Sequence, residues 1–315
     1  MLRSALETLR DRGPLSLAHA ARNLATASIE RQLLGRRFVE RPIYDYRMLL
    51  DLDDAGISRS LLLFGQRELD HKAMLEDAVR PGMRIFDIGA NIGYYVLMEL
   101  GLIGPEGEMV AVEPSPSNVA LLRRNLALNG LSERVTVIEA AVSDACETRS
   151  FHLAHQSNLN TFHTDGSGAV HLSGKTIDVA TTTVARLAEA HGAPDLLRMD
   201  VEGHEVSVIR GLLPAVEAGE MAPMIIFETH LSRYGAENDM AATLRALFDC
   251  GYGIRSLASS QASGTARIEA LGYRGAAPIP TDGVERVIFE AVSAEHAVEL
   301  ICRTGGVRTV LLAKD

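Results

Sequence analysis

Apolar runs of four or five residues recur through the middle of the chain, each giving way to an acid or a glycine. Between them lie longer stretches in which apolar side chains return every three or four positions. The runs at Arg84 to Ile88, Met109 to Val112, Arg134 to Glu139, Leu196 to Met199 and Met224 to Phe227 read as buried strands. Residues 92–103, closed by Gly104-Pro105, read as a helix. A second helix starts near Ser117, a potential cap; Val119, Leu122 and Leu126 share one of its faces, and Gly130 is placed to end it. Strands alternating with helices predict an α/β fold with a mostly parallel sheet. In such sheets ligands sit beyond the carboxyl ends of the strands, so Asp87, Glu113, Asp200 and Glu228 are expected on one rim.

The flanks read differently. Residues 2–10 and 15–34 have helical spacing interrupted at Gly13-Pro14, Phe38 to Leu52 reads as a strand, and Asp53-Asp-Ala-Gly56 as a turn. A helix over 70–79 is stopped by Pro81-Gly82. These signals divide the chain into an N-terminal extension, 1–80, that covers the sheet or makes an oligomer contact, and a main domain, 81–315. Phe151 to Thr183 is rich in Ser, Thr, Asn, Gly and His and reads as a hairpin laid over the site. The tail carries a helix near 240–250, strands near 285–291 and 307–313 and a helix between those strands, an antiparallel edge to the sheet.

The turn after the first central strand carries the most chemistry. In Arg84-Ile-Phe-Asp-Ile-Gly-Ala-Asn-Ile-Gly93 a strand runs into an acid and then into two glycines that open a helix. Gly89 and Gly93 let the backbone turn sharply and approach a ligand, whose polar atoms would meet N–H groups at the helix start. The next strand ends in Glu113, 26 residues after Asp87, where a carboxylate can accept both hydroxyls of a ribose. A dinucleotide fold would place Gly-x-Gly-x-x-Gly here for a pyrophosphate; Ala90 and Asn91 inside the turn, with no third glycine, disfavour an NAD-dependent oxidoreductase.

Asp87-Ile-Gly-Ala-Asn-Ile-Gly93 instead resembles the S-adenosylmethionine loop of Rossmann-like methyltransferases, and its Asn variant resembles the FkbM family. The likeness covers about residues 60 to 235: Gly65-x-x-Glu68, Glu113-Pro114, Asn125-Leu-Ala-Leu-Asn129, Met199-Asp-Val-Glu-Gly-His-Glu205 and Glu228-Thr-His230. Arg198 stands where the family often has Lys, and His204 where a small residue is common. The resemblance implies a class I methyltransferase with a seven-stranded sheet that transfers a methyl group from S-adenosylmethionine to a hydroxyl of a sugar, glycolipid or secondary metabolite. It implies cofactor contacts from Asp87, Gly89, Ala90, Asn91, Gly93, Glu113, Pro114 and Asp200. The stretch holding Ala141, Val142 and Asp144 lies where related enzymes hold adenine; Asp144 reads equally well as a turn residue.

Composition narrows the class without changing it. The 315 residues are 47% hydrophobic and 23% charged, with a net charge of −10, which argues against a general nucleic-acid binder. Residues 1–41 hold eight Arg against four acids, a net +4 that leaves −14 for the remainder. That basic segment could touch an anionic membrane surface, though a solvated or oligomer-facing helix is the plainer reading. Cys146, Cys250 and Cys302 show no paired spacing and read as core thiols of a reducing compartment. With no apolar leader and no run approaching ~18 apolar residues, a cytoplasmic protein is expected.

Methyl transfer from a sulfonium is an in-line displacement, and a hydroxyl acceptor needs its proton removed. His230, Asp200, His204 and Glu228 are the catalytic candidates, His204 having the rival reading of a solvated first-turn residue. Asp200, Glu202, Glu228 and His230 could alternatively hold Mg²⁺, although Glu202 and Glu205 at a helix start are also explained by the helix dipole; the expectation is catalysis without a metal. A cofactor-binding scaffold without activity is the remaining alternative, against which stand the four rim residues.

Overall fold

The computed structural model describes residues 2–164 and 171–314, with the side chains of residues 2–13 and 15 outside that description. The chain opens with α1 (Leu2–Gln32), the hairpin β1 (Phe38–Ile43) and β2 (Tyr46–Asp51), then α2 (Ile57–Phe64) and α3 (Leu69–Ala78). The central alternation follows as β3 (Arg84–Ile88), α4 (Tyr94–Ile103), β4 (Glu108–Val112), α5 (Pro116–Leu128) and β5 (Val135–Ile138). An inserted sheet comprises β6 (Ala141–Val142), β7 (Thr148–Ala154) and β8 (Leu172–Thr182). After it come α6 (Val184–His191), β9 (Leu196–Met199), α7 (Glu205–Glu217), β10 (Met224–Glu228), α8 (Met240–Asp249), β11 (Tyr252–Ser259), α9 (Ala262–Ala270), β12 (Ile279–Thr281), β13 (Val284–Arg286), β14 (Ile288–Glu290), α10 (Ala294–Glu299) and β15 (Val307–Lys314).

The main sheet runs β14-β11-β15-β10-β9-β3-β4-β5. The five strands from β10 to β5 are parallel to their neighbours, whereas β15, β11 and β14 pair antiparallel. This is a Rossmann-like sheet with an antiparallel C-terminal edge, and the short β14 makes its strands eight rather than the expected seven. Period-2 alternation sorts the side chains: Phe86, Ile88, Leu197 and Met199 pack with α7 and α8 on one face, Ile85, Met109 and Leu196 with α4 and the hairpin on the other. Both faces are covered, so the strands are near-continuously apolar. Among the described residues no helix is long and apolar enough to cross a membrane.

Three boundaries differ from expectation. The N-terminal helix continues through Gly13-Pro14, whose ring already holds a helical φ and removes one amide bond. Residues 38–52 are two strands, not one, because Tyr44 adopts φ 53° and turns the chain back. The helix after β4 starts at Pro116 with Ser115 at its N-cap, two residues earlier than Ser117; the two hydroxyls lie 3.0 Å apart. β11 carried no signal separable from a buried helical run. Of the thiols expected in the core, Cys146 is exposed, whereas Cys250 and Cys302 are partly buried and pack against the core.

Candidate active site at the carboxyl ends of the strands

Gly89 leaves β3 at φ 78°, Asn91 follows at 49° and Gly93 at 92°, so three of five loop residues occupy left-handed backbone. A Cβ on Gly89 would lie 2.3 Å from the carbonyl oxygen of Asp200, and one on Gly93 2.6 Å from Leu122 Cδ1. The neighbouring strand exit and α5 thus leave no room for a side chain at either glycine.

The N–H groups of residues 89–93 are spent within the protein, so these loop groups are not the free donors expected to meet a ligand. Gly89 and Ala90 donate to Val112 O at 2.9 and 3.1 Å, and Gly93 to Ala90 O at 2.9 Å. Asn91 N–H donates to Glu113 Oε2 at 2.9 Å, and Ile92 N–H to Asn91 Oδ1 at 2.7 Å. Glu113 also accepts from Ser115 N–H at 3.0 Å and Asn118 Nδ2 at 3.1 Å. Burial pushes its carboxyl up to about 7 against the pull of these donors.

Ile88, Gly89 and Asn91 from this loop, Glu113-Pro114, Ala140 to Val142 and Asp200 to Glu202 line one cleft of about 500 Å³. Three lining carboxylates, Glu113, Asp200 and Glu202, face it, and among the described residues no Lys or Arg lines it. The inserted sheet roofs it with Phe151, Ser157, Asn158, Asn160 and Phe162. Sequence reasoning placed a loop here without naming these residues. Asn118, another missed lining residue, bonds both Glu113 and Ser157 O, at 3.1 and 3.3 Å, and Ser157 N–H reaches Asp54 Oδ1 of the extension at 3.1 Å. Residues 165–170 of the expected hairpin lie outside the described residues.

Five expected site residues have surroundings other than those expected. Asp87 is wholly buried, faces the Arg198 guanidinium at 3.0 Å and does not line the cleft. Ala90 is buried and, like Gly93, shapes the loop without lining the cleft. Asp144 is exposed and takes the Ser143 hydroxyl at 3.0 Å, which fits its reading as a turn residue. His204 is not a solvated helix-start residue: it is buried, its Nε2 is 3.0 Å from Ser143 Oγ and its ring stacks 4.6 Å from Phe162. Burial, with His163 and Arg149 nearby, lowers it to about 3, which leaves a weak base.

The remaining candidates converge beside the cleft. His230 Nδ1 lies 3.0 Å from Glu205 Oε1, while Nε2 faces Glu202 Oε2 at 3.6 Å, Glu228 Oε1 at 3.6 Å and Asp200 Oδ1 at 4.0 Å. Burial would lower this imidazole, but Glu205 and its companions outweigh that and hold it up at about 10. A ring that keeps its proton through neutral pH is a poor general base, which corrects that expectation for His230. Glu228 is engaged by Arg308, which also approaches Glu68 at 3.3 Å, so Glu228 drops out of the expected metal set. Asp200, Glu202 and His230 bring ligand atoms within 4.8 Å of one another. Glu205 was missed as a partner because its helix-start position already explained an acid; its Oε1 also accepts from Val201 and Gly203 N–H at 3.3 Å.

A glycine turn after β3, an acid after β4 and an acid-rich rim at β9 and β10 lie where a Rossmann-like sheet places its ligand site. The methyltransferase FkbM domain model matches residues 87–254, more than half of the chain, and the chain belongs to that family. It is similar to 31-O-demethyl-FK506 methyltransferase FkbM of Streptomyces tacrolimicus, 28% identical over 161 residues that cover 42% of this chain and 61% of the relative. It thus spans about three fifths of that relative's length. Protein-L-isoaspartate O-methyltransferase of Methanothrix thermoacetophila is 38% identical over 48 residues, 15% of this chain and 23% of the relative. Among solved structures, a methyltransferase FkbM of Methylobacillus flagellatus KT aligns at 15% identity and TM-score 0.39, covering 74% of this chain and 52% of that one. An S-adenosylmethionine-dependent O-methyltransferase of Thermotoga maritima aligns at 16% identity and TM-score 0.36, covering 78% and 63%.

Proposed function

We propose that this chain is an S-adenosylmethionine-dependent O-methyltransferase acting on a hydroxyl of a sugar, glycolipid or secondary metabolite. The observation that carries the reading is the cleft's charge: three carboxylates line it with no Lys or Arg among the described residues, and the N–H groups of residues 89–93 are spent on Val112, on Glu113 and within the turn. A pyrophosphate would meet acids and no cationic side chain, whereas a sulfonium bearing an ammonium group meets the sign it needs. The cofactor, when bound, supplies an electrophilic methyl group.

The chain's own residues do the rest. Glu113, fixed by three donors, offers its carboxylate to ribose hydroxyls, and Pro114, Ala141 and Val142 give the apolar wall beside it. Phe151 and Phe162 close the cleft from the inserted sheet and exclude water. Asp200 lies where the glycine loop meets the acidic rim and serves as the acceptor-side group that orients a hydroxyl or takes its proton. The family membership and the oxygen in the Streptomyces relative's name support an oxygen acceptor. Residues 1–80 act as a cover for this domain, consistent with the Asp54 bond that holds the roof at Ser157.

Incubating the full chain with S-adenosylmethionine labelled in its methyl group and a panel of glycans, glycolipids and hydroxylated metabolites tests the reading. Label is expected in an ether stable to mild base; label only in base-labile esters would overturn the oxygen-ether assignment.

A further inference from the structure

We infer that Asp200, Glu202 and Nε2 of His230 bind one divalent cation of the Mg²⁺ or Mn²⁺ class, at the boundary between the cofactor cleft and the acceptor. The inference rests on the methyltransferase reading for its chemistry, but its geometry stands alone.

Nδ1 of His230 faces the fully buried Glu205 carboxylate at 3.0 Å. A cation at Nε2 would take the place of the proton that the surrounding carboxylates hold on this ring, leaving Nδ1 facing the buried Glu205 carboxylate as an outer-shell acid faces a metal-binding histidine. That other nitrogen looks onto Glu202 Oε2 at 3.6 Å and Asp200 Oδ1 at 4.0 Å. Octahedral ligands at ~2.1 Å from an ion stand roughly 3 to 4 Å apart, so small side-chain movements complete the site. Two carboxylates and one imidazole suit Mn²⁺ or Mg²⁺ better than the thiolate-rich sets of zinc.

Two buried atoms point to a missing partner. Asp200 Oδ1 has no hydrogen-bond donor, and neither has Glu205 Oε2 on a residue with no exposed surface. Such groups are normally satisfied, and a cation between Asp200 and Glu202 satisfies the first directly. The guanidinium charge around them is committed elsewhere: Arg308 engages Glu228, and Arg198, 3.7 Å from Asp200 Oδ2, lies nearer Asp87 at 3.0 Å, which leaves the His230 proton as the charge a cation would replace. Because Asp200 and Glu202 also line the cleft while His230 does not, the ion's open positions face the space between cofactor and rim, where an acceptor hydroxyl is a fitting oxygen ligand.

The test is a Mn²⁺ titration of the full chain, stripped with chelator and followed by electron paramagnetic resonance, with calorimetry of S-adenosylhomocysteine on the same samples. One Mn²⁺ per chain is expected, displaced by excess Mg²⁺. Asp200→Asn and Glu202→Gln should each weaken it at least tenfold, and Glu205→Gln about 10–100-fold as an outer-shell partner, with circular dichroism confirming folded protein. No Mn²⁺ uptake by the folded wild type at millimolar metal, or unchanged uptake in the folded Asp200→Asn, Glu202→Gln double variant, overturns the site. Nucleoside binding without metal overturns this inference alone; metal binding without nucleoside sustains it and overturns the proposed activity.

Discussion

Asp87 and Arg198 are register partners on the adjacent parallel strands β3 and β9, with Nη1 3.0 Å from Oδ1 and neither side chain more than 3% exposed. The guanidinium also lies 4.0 Å from the Tyr95 ring centroid and reaches Gly89 O at 3.4 Å. One buried pair thus ties the strand carrying the glycine loop to the strand carrying Asp200. A Lys could keep the charge but not the fork and the stacking together, which gives the Arg at this position a physical meaning.

Removing Asp87 strands that cation. Asp87→Ala is expected to cost about 3–5 kcal/mol of stability, since breaking a buried pair leaves an uncompensated charge, and Arg198→Lys clearly less. Urea unfolding measures both. An Asp87→Ala protein within 1 kcal/mol of wild type, in a change expected to reach ~3, would show that the pair does not organise this strand junction.

Glu99 sits nearby in α4, wholly buried, with neither carboxyl oxygen hydrogen-bonded. Burial, then Asp87, raises it well above the ordinary range, so the folded chain keeps it protonated. A raised carboxyl contributes stability that is full below the unfolded value near 4.5 and is lost as pH rises toward the folded one. Glu99→Gln should therefore flatten the decline in melting temperature that sets in as pH rises above the unfolded value of 4.5. An unchanged pH profile in thermal unfolding would count against a protonated Glu99.

Gly89→Ala should damage the loop itself. The added Cβ meets Asp200 O at 2.3 Å on a residue at φ 78°, a conflict between two strand exits. Strained left-handed backbone costs on the order of 1–3 kcal/mol, so melting temperature and S-adenosylhomocysteine affinity should fall together. Loss of affinity with full stability would mean that the glycine serves the ligand directly.

Much of this was legible in the chain because it is local. Strand, glycine turn and Glu113 follow one another within thirty residues, and the apolar runs mark β3, β4, β9 and β10 without any tertiary knowledge. Pairings across long separations were not legible. Arg198 finds Asp87 across 111 residues, which only strand register reveals, and Arg308 reaches Glu68 from 240 residues away. The histidines show the same limit: His204 and His230 have similar sequence surroundings, yet burial against Ser143 lowers one and Glu205 raises the other. Asn160 and Phe162 gave no signal because a polar loop roofing a cleft has no period; the His152–Thr161 bridge folds it back.

Calorimetry of the full chain with S-adenosylmethionine and with NAD, repeated for Glu113→Gln, bears most directly on the proposal that the acid-lined cleft holds a cationic nucleoside. S-adenosylmethionine should bind and NAD should not; Glu113→Gln should lose about 1–3 kcal/mol, because the ribose hydroxyls lose a charged acceptor. Since burial lifts Glu113 to about 7, wild-type affinity should also climb with pH to a plateau above that value, and the variant should lack the climb. NAD bound as tightly as S-adenosylmethionine, or a folded Glu113→Gln protein with undiminished affinity, would contradict the assignment of this cleft.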